Sequence, residues 1–249
     1  MKRILMCIVL GLLVFTSGIG WSAEVLLRTA YQKDSPPRYF VEGGIDKGVC
    51  VDLISALNEK LAKHNIHIVP TGTYTLAEIN TMMDKNELNM FVGLMKTPER
   101  EQKFVFSSVP VFGVRGQFAK LVSDPFEYTG EGSVRGKRVC VLRGAAINQL
   151  ITKMPGIRFM EAATINECLK KLRGRETDLV FYHDLGLGWD IKAGGFAGQI
   201  ALANKPFEAD SQYIMFTKQM TIEVKIIVSN ELLELDREGT IDKILRAYR

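Results

Sequence analysis

The sequence predicts an α/β fold of two similar lobes, each built on a mostly parallel sheet. Two observations carry this. Strand-like and helix-like segments alternate along nearly the whole chain, the order that makes parallel sheets flanked by helices. The order also nearly repeats: segment 75–92 can be laid without gaps on segment 164–181, helix on helix and strand on strand, although few residues are identical.

Each element has a local signal. Val25–Ala30 reads as a strand, Asp34-Ser35-Pro36-Pro37 breaks it, and Gly43-Gly44 marks a turn. Val49 to Lys63 is helical, with Val49, Leu53, Leu57 and Leu61 along one face. Ile66–Val69 is a short strand closed by Pro70, Leu76–Lys85 a helix, and Leu88–Val92 a buried strand. The second round repeats the plan, with strands at Lys137–Leu142, Arg158–Glu161 and Asp178–Tyr182 and helices at Ala145–Lys153 and Thr164–Arg173. A strand at Ser211–Thr217 and helices at Thr221–Leu235 and Thr240–Tyr248 complete the chain. The last helix carries an apolar stripe of Ile241, Ile244, Leu245 and Tyr248.

The chain has 249 residues, 47% hydrophobic and 24% charged, which excludes disorder and supplies a sizeable core. Its formal net charge is +4, and Lys2 and Arg3 contribute to it within a segment expected to be removed. The basic clusters at Arg135, Lys137 and Arg138 and at Lys170, Lys171 and Arg173 read as solvated faces, so no nucleic-acid partner is expected. Residues 1–22 have the plan of a secretory signal: Met1-Lys2-Arg3, an apolar run from Ile4 to Phe15, then small residues with cleavage near Ser22 or Ala23. The run is shorter than the ~20 residues of a spanning helix. The mature protein is therefore expected to be soluble and periplasmic.

Beyond Cys7 in that leader, the cysteines are Cys50, Cys140 and Cys168. Their spacing fits neither a disulfide framework nor a zinc site. Buried thiols are the favoured reading, with Cys140–Cys168 the candidate pair if one bridge forms. His64 and His67 fall where a helix gives way to a strand and need not share a face, so no metal is expected. G-x-S-x-G, H-E-x-x-H and P-loop signatures are absent.

Ligands of open α/β sheets bind beyond the carboxyl ends of the strands. The segments after Val92 and Phe181 are therefore where a site should lie. Several motifs stand near there in order: Gly48-Val49-Cys50-Val51-Asp52-Leu53, Leu88 to Gly93, Thr97-Pro98-Glu99-Arg100, Phe104 to Pro110, and Gly136 to Gly144. Together they resemble the family 3 extracellular solute-binding proteins, the periplasmic polar-amino-acid-binding type. The resemblance implies a two-lobed periplasmic-binding-protein type II fold joined by two crossover strands. Lobe 1 would comprise residues 23–116 and 210–249, lobe 2 residues 117–209, with crossings near Gly116–Lys120 and Ala209–Tyr213. It also implies a monomer without cofactor or enzymatic activity, holding an amino acid or related carboxylate between the lobes for an inner-membrane ABC permease. A sensory module or a dehydratase-like enzyme on the same fold are the competing readings.

Within that resemblance, Arg100 clamps the ligand carboxylate, a task for which a planar guanidinium is suited. Free N–H groups at Gly144-Ala145-Ala146 would assist. Family members often carry hydroxyls there and at Gly93-Leu94-Met95, and their absence favours a ligand with an apolar part. A lobe 2 carboxylate should meet the ligand's ammonium. Asp184 is favoured, whereas the family's spacing puts His183 at that position, where it would serve as a core histidine or an acceptor for a ligand hydroxyl. Tyr31, Tyr74, Phe112 and Tyr182 are aromatic candidates for the ligand's flank, and Trp189 is assigned to the core.

Overall fold

A computed structural model describes residues 24–207 and 209–248. The leader and its cleavage site lie outside the described residues. Among those described, no helix is long and apolar enough to cross a membrane.

Strand β1 (Val25–Gln32) pairs in parallel with β4 (Ile66–Tyr74), and helix α1 (Val49–Leu61) connects them after a small β2–β3 hairpin (Phe40–Glu42, Ile45–Lys47). Pro70 does not close β4. It pairs with Thr29 inside the ladder, which a proline can do in an edge strand, where one side of the backbone has no neighbour to bond. Helix α2 (Leu76–Asp84) starts at a capping box: the Thr75 hydroxyl accepts from the Glu78 amide, and Glu78 accepts from the Thr75 amide. Strand β5 (Met90–Met95) is wholly buried. It is tied to β1 through Asn89, whose amide donates to the Arg28 carbonyl and whose side chain accepts from the Arg28 amide.

Helix α3 (Pro98–Lys103) and strand β6 (Phe104–Phe106) lead to β7 (Phe112–Leu121), which is central to the architecture. Its first half, Phe112–Arg115, pairs with β12 (Ala209–Thr217), and its second half, Gly116–Ala119, with β10 (Leu179–His183). One strand thus joins the two halves of an eight-stranded sheet ordered β5-β12-β7-β10-β8-β9, with β6 on β12 and β11 (Ile200–Leu202) on β7. Pairing is parallel between β8 (Arg138–Leu142) and both β9 (Arg158–Ala162) and β10, as between β1 and β4; the joining strands pair antiparallel. Gly116 marks the changeover. A Cβ there would lie 2.9 Å from the Phe181 ring and 3.0 Å from Leu150, so any side chain would have to push both aside.

Two apolar cores result. One gathers α1, β5 and the C-terminal helices α7 (Ile222–Arg237) and α8 (Thr240–Ala247), through Leu53, Leu57, Phe91, Phe216, Leu232 and Leu245. The other gathers β8, β10 and α5 (Ile165–Arg173), through Phe118, Val139, Leu169, Leu172, Val180 and Phe181. The sequence reading of a helix over Ala145–Lys153 is corrected: Ala146–Asn148 is a 3-10 turn, and α4 spans only Gln149–Thr152. Cys140 and Cys168 form a disulfide, correcting the preference for buried thiols; β8 and α5 bring their Cα atoms to 5.5 Å. Cys50 is free and buried. Trp189, assigned to the core from sequence, is only partly buried. It sits on α6 (Asp184–Ala193) against Phe40 and Tyr248, with ring centroids at 4.9 and 6.1 Å.

Candidate functional site: a cationic cavity between the lobes

The ends of β1, β5, β8 and β10 converge on a cavity of about 40 Å³. Gln32, Arg38, Leu94, Met95, Arg100 and Gln212 reach it from the first lobe, and Leu142, Ala145, Ile147, Tyr182 and His183 from the second. The opposing walls leave space for only a few waters, so the lobes stand closed on each other.

Arg100 arrives there because α3 begins just after β5. The Thr97 hydroxyl caps the helix by accepting from the Arg100 amide at 3.2 Å, and Pro98 takes the first helical position. The guanidinium folds back so that Nη1 donates to the Met95 carbonyl at 2.8 Å. Among the described residues it has no ion pair, with Glu99, Glu101 or any other carboxylate. Burial is the main influence lowering its pKa, and the Arg38 charge adds to it.

Arg38 is the residue that sequence reasoning missed. It follows a proline pair read only as a strand break, and an arginine in such a loop ordinarily faces water. Here its backbone is fastened to the start of α1: the Val49 and Cys50 amides donate to the Pro37 and Arg38 carbonyls at 2.9 and 3.1 Å. Its side chain turns inward and is only 6% exposed. Nη1 donates to the Gly93 carbonyl at 2.7 Å, while Nη2 donates to Ser35 Oγ at 2.6 Å and Gln32 Oε1 at 3.2 Å. All three partners are neutral, and Nε is buried without a partner. Gly93 suits this arrangement twice over. Its φ is +87°, and a Cβ would lie 2.7 Å from Cys50 Sγ.

On the second lobe, β10 ends at His183, whose ring caps α6. Its Nδ1 accepts from the Gly186 amide at 2.9 Å. Burial first, and the Arg38 charge second, hold its pKa well below the ordinary histidine value, so the ring is neutral. An acceptor at Nδ1 leaves the proton on Nε2. That N–H is buried and has no partner. His183 therefore offers the cavity a donor; its burial fits the core histidine of the sequence reading, and its Nδ1 is not free for the acceptor role that was the alternative.

Asp184 faces elsewhere. It is the first residue of α6, accepts from the Arg115 amide and Nε at 3.0 and 3.2 Å, and lines a separate cavity of about 490 Å³ beside Trp189 and Tyr248. Helix α6 was not legible because Gly186 and Gly188 interrupt its pattern. Tyr182 lines the central cavity, but Tyr31 lines a different small hollow with Tyr39 and Phe40. Tyr74 is half-buried at the end of β4, and Phe112 is core. Gly144 lies outside the central cavity, in a hollow shared with Glu99, Arg100 and Lys103. The Ala145 amide donates to the Leu142 carbonyl, and no long helix follows it, so the expected helix-terminus anion site is not built there.

Arg38, Arg100 and the neutral His183 thus share one closed interlobe cavity. The family model for bacterial extracellular solute-binding proteins, family 3, matches residues 27–249. The chain belongs to that family. No curated protein sequence matches this family 3 protein. Among solved structures it resembles an amino acid ABC transporter substrate-binding protein from Streptococcus pneumoniae bound to L-arginine, at 19% identity and TM-score 0.75, covering 90% of this chain and 94% of that one. It is equally similar to an ancestral amino acid-binding protein described as a precursor of cyclohexadienyl dehydratase, at 19% identity and TM-score 0.75, covering 90% and 95%. A histidine kinase sensor domain similar to periplasmic binding proteins matches at 15% identity and TM-score 0.77, covering 91% and 96%. At these identities the likeness is one of fold: the two-lobed type II periplasmic-binding-protein architecture.

Among the described residues no cluster of His, Cys, Asp and Glu is arranged to hold a metal ion. His64 bonds Glu231 at 2.8 Å and His67 approaches Glu24 at 3.6 Å, on separate partners.

Proposed function

We propose that this protein captures a small carboxylated solute between its lobes in the periplasm and presents it, as a monomer, to an inner-membrane ABC permease. The observation that carries the reading is Arg100, a largely buried guanidinium at the cleft with no carboxylate of its own. A largely buried charge favours a counter-charge; Glu99 acts on Arg100 without pairing with it, and a carboxylated solute in the cavity would supply a direct partner. The disulfide agrees with an oxidising, extracytoplasmic compartment. Binding without chemistry is favoured because the cavity's one histidine is a poor general base: its Nδ1 is engaged and its Nε2 already holds the proton.

The test is thermal melting of the protein from Ala23 onward against small organic acids and amino acids. A ligand at a hundred times its dissociation constant should add about 2.7 kcal/mol of stability. If no carboxylate in such a set shifts the melting curve, the reading falls.

The lobes are assigned as 23–116 with 210–249, and 117–209, with pivots near Gly116–Lys120 and Ala209–Tyr213. The changeover of β7 from β12 to β10 at Gly116 supports this, since a rotation needs only a few residues at such a crossing. Small-angle scattering should give a larger radius of gyration without ligand than with it. Identical values would count against hinged closure.

A further inference from the structure

We propose that the solute is an ammonium-free organic dianion, a dicarboxylate, and that Arg38 is its second anion-holding residue. This rests on the reading that the cavity holds a carboxylate. The argument is a count of what faces the cavity. Its charged and titratable side chains are Arg38, Arg100, Tyr182 and His183, with no aspartate or glutamate. Asp184, the one acid next to it in sequence, is spent on Arg115.

An α-amino acid brought here would satisfy Arg100 with its carboxylate. Its ammonium would then lie among two guanidinium groups and two N–H groups already seeking acceptors, Arg38 Nε and His183 Nε2. The Gly93 and Met95 carbonyls and Gln32 Oε1 already accept from the two arginines, which leaves the lining an ammonium only neutral acceptors such as Gln212 and the Tyr182 hydroxyl. Like charges in a desolvated site repel strongly, and the ammonium would gain little in return. A second carboxylate reverses every one of these terms. It neutralises Arg38 and gives both orphan N–H groups an acceptor. Leu76, Leu94, Leu142, Ala145 and Ile147 supply the apolar remainder of the wall, which suits a carbon spacer rather than an inorganic anion.

The experiment is calorimetry with matched acids that differ only in the ammonium: succinate against aspartate, and glutarate against glutamate, with propionate and butyrate as monocarboxylates and inorganic phosphate as an inorganic dianion. The expected result is that a dicarboxylate binds at least tenfold tighter than its amino counterpart and than either monocarboxylate. A smaller margin over the amino acid overturns the exclusion of ammonium. A monocarboxylate within tenfold of the dicarboxylate overturns the role of Arg38, and phosphate as the tightest ligand overturns the organic spacer. If none of the carboxylates binds, the failure is that of carboxylate capture itself.

A gain-of-function variant tests the same point from the other side. Aspartate is as good a helix N-cap as the ring it replaces, so His183→Asp keeps the start of α6. It also removes the orphan N–H and adds a carboxylate to the cavity wall, set back by about the depth of the ring it replaces. Glutamate and aspartate should then bind at least tenfold tighter than they do to the parent protein. A folded His183→Asp protein whose amino-acid affinity is unchanged would overturn the proposal.

Discussion

Arg100→Ala should abolish binding of any carboxylated ligand while the unliganded protein keeps its fold. Removing the guanidinium leaves a buried ligand carboxylate without its charge partner, a loss of about 3–5 kcal/mol. That corresponds to a fall of roughly a hundredfold to several thousandfold in affinity. The fold should survive because the side chain's one protein partner is the Met95 carbonyl, and Thr97 caps α3 through the backbone amide, which alanine retains. Arg38 already opposes the charge on Arg100, so the empty variant should melt no lower than the parent. This separates a binding residue from a structural one, since a structural arginine would lower both stability and affinity. Arg100→Lys should also lose most of the affinity, because an ammonium cannot reproduce the planar two-point contact. Calorimetry showing Arg100→Ala within threefold of the parent would remove Arg100 from the site.

How much of this was visible in the sequence depended on periodicity. Helices with an unbroken apolar face, such as α1 and α8, were legible because burial itself imposes the spacing. Strand β7 was not, because Gly113 and Gly116 sit where side chains would have marked it, and at Gly116 the Phe181 and Leu150 side chains fill the space a Cβ would take. The same holds for α6, whose glycines hide a helix that starts on a histidine cap. Arg100 was found through a local motif. Arg38 carries no local mark: what makes it a site residue is the turn that fastens it to α1 and aims it at Gly93, a contact between residues far apart in the chain. The choice between His183 and Asp184 turned on one residue of register, at the point where β10 gives way to α6. His183 is the last residue of the strand and stays at the cavity, while Asp184 begins the helix and turns to Arg115.

Replacing both Cys140 and Cys168 by alanine should lower the stability of the protein by about 3–4 kcal/mol. The bridge spans a sequence separation of 28, and closing a loop of that size raises the free energy of the unfolded ensemble by about this much, by removing chain entropy. Both cysteines are fully buried between β8 and α5, so the alanines also leave a small void in the second core. The measurement is the urea midpoint of the oxidised parent and of the double variant. Both proteins carry Cys50→Ala for this comparison, because the shield of burial that pushes the Cys50 thiol up to about 12 is lost in urea, where an exposed thiol exchanges with the bridge. Equal midpoints would show that the bridge contributes nothing to stability. The effect should also reach the ligand. Strand β8 lies beside β10 through Leu179, Val180 and Phe181, and β10 ends at His183. A looser β8 and α5 therefore leave the second wall of the cavity less firmly placed, so the double variant should bind more weakly even at temperatures where it is fully folded.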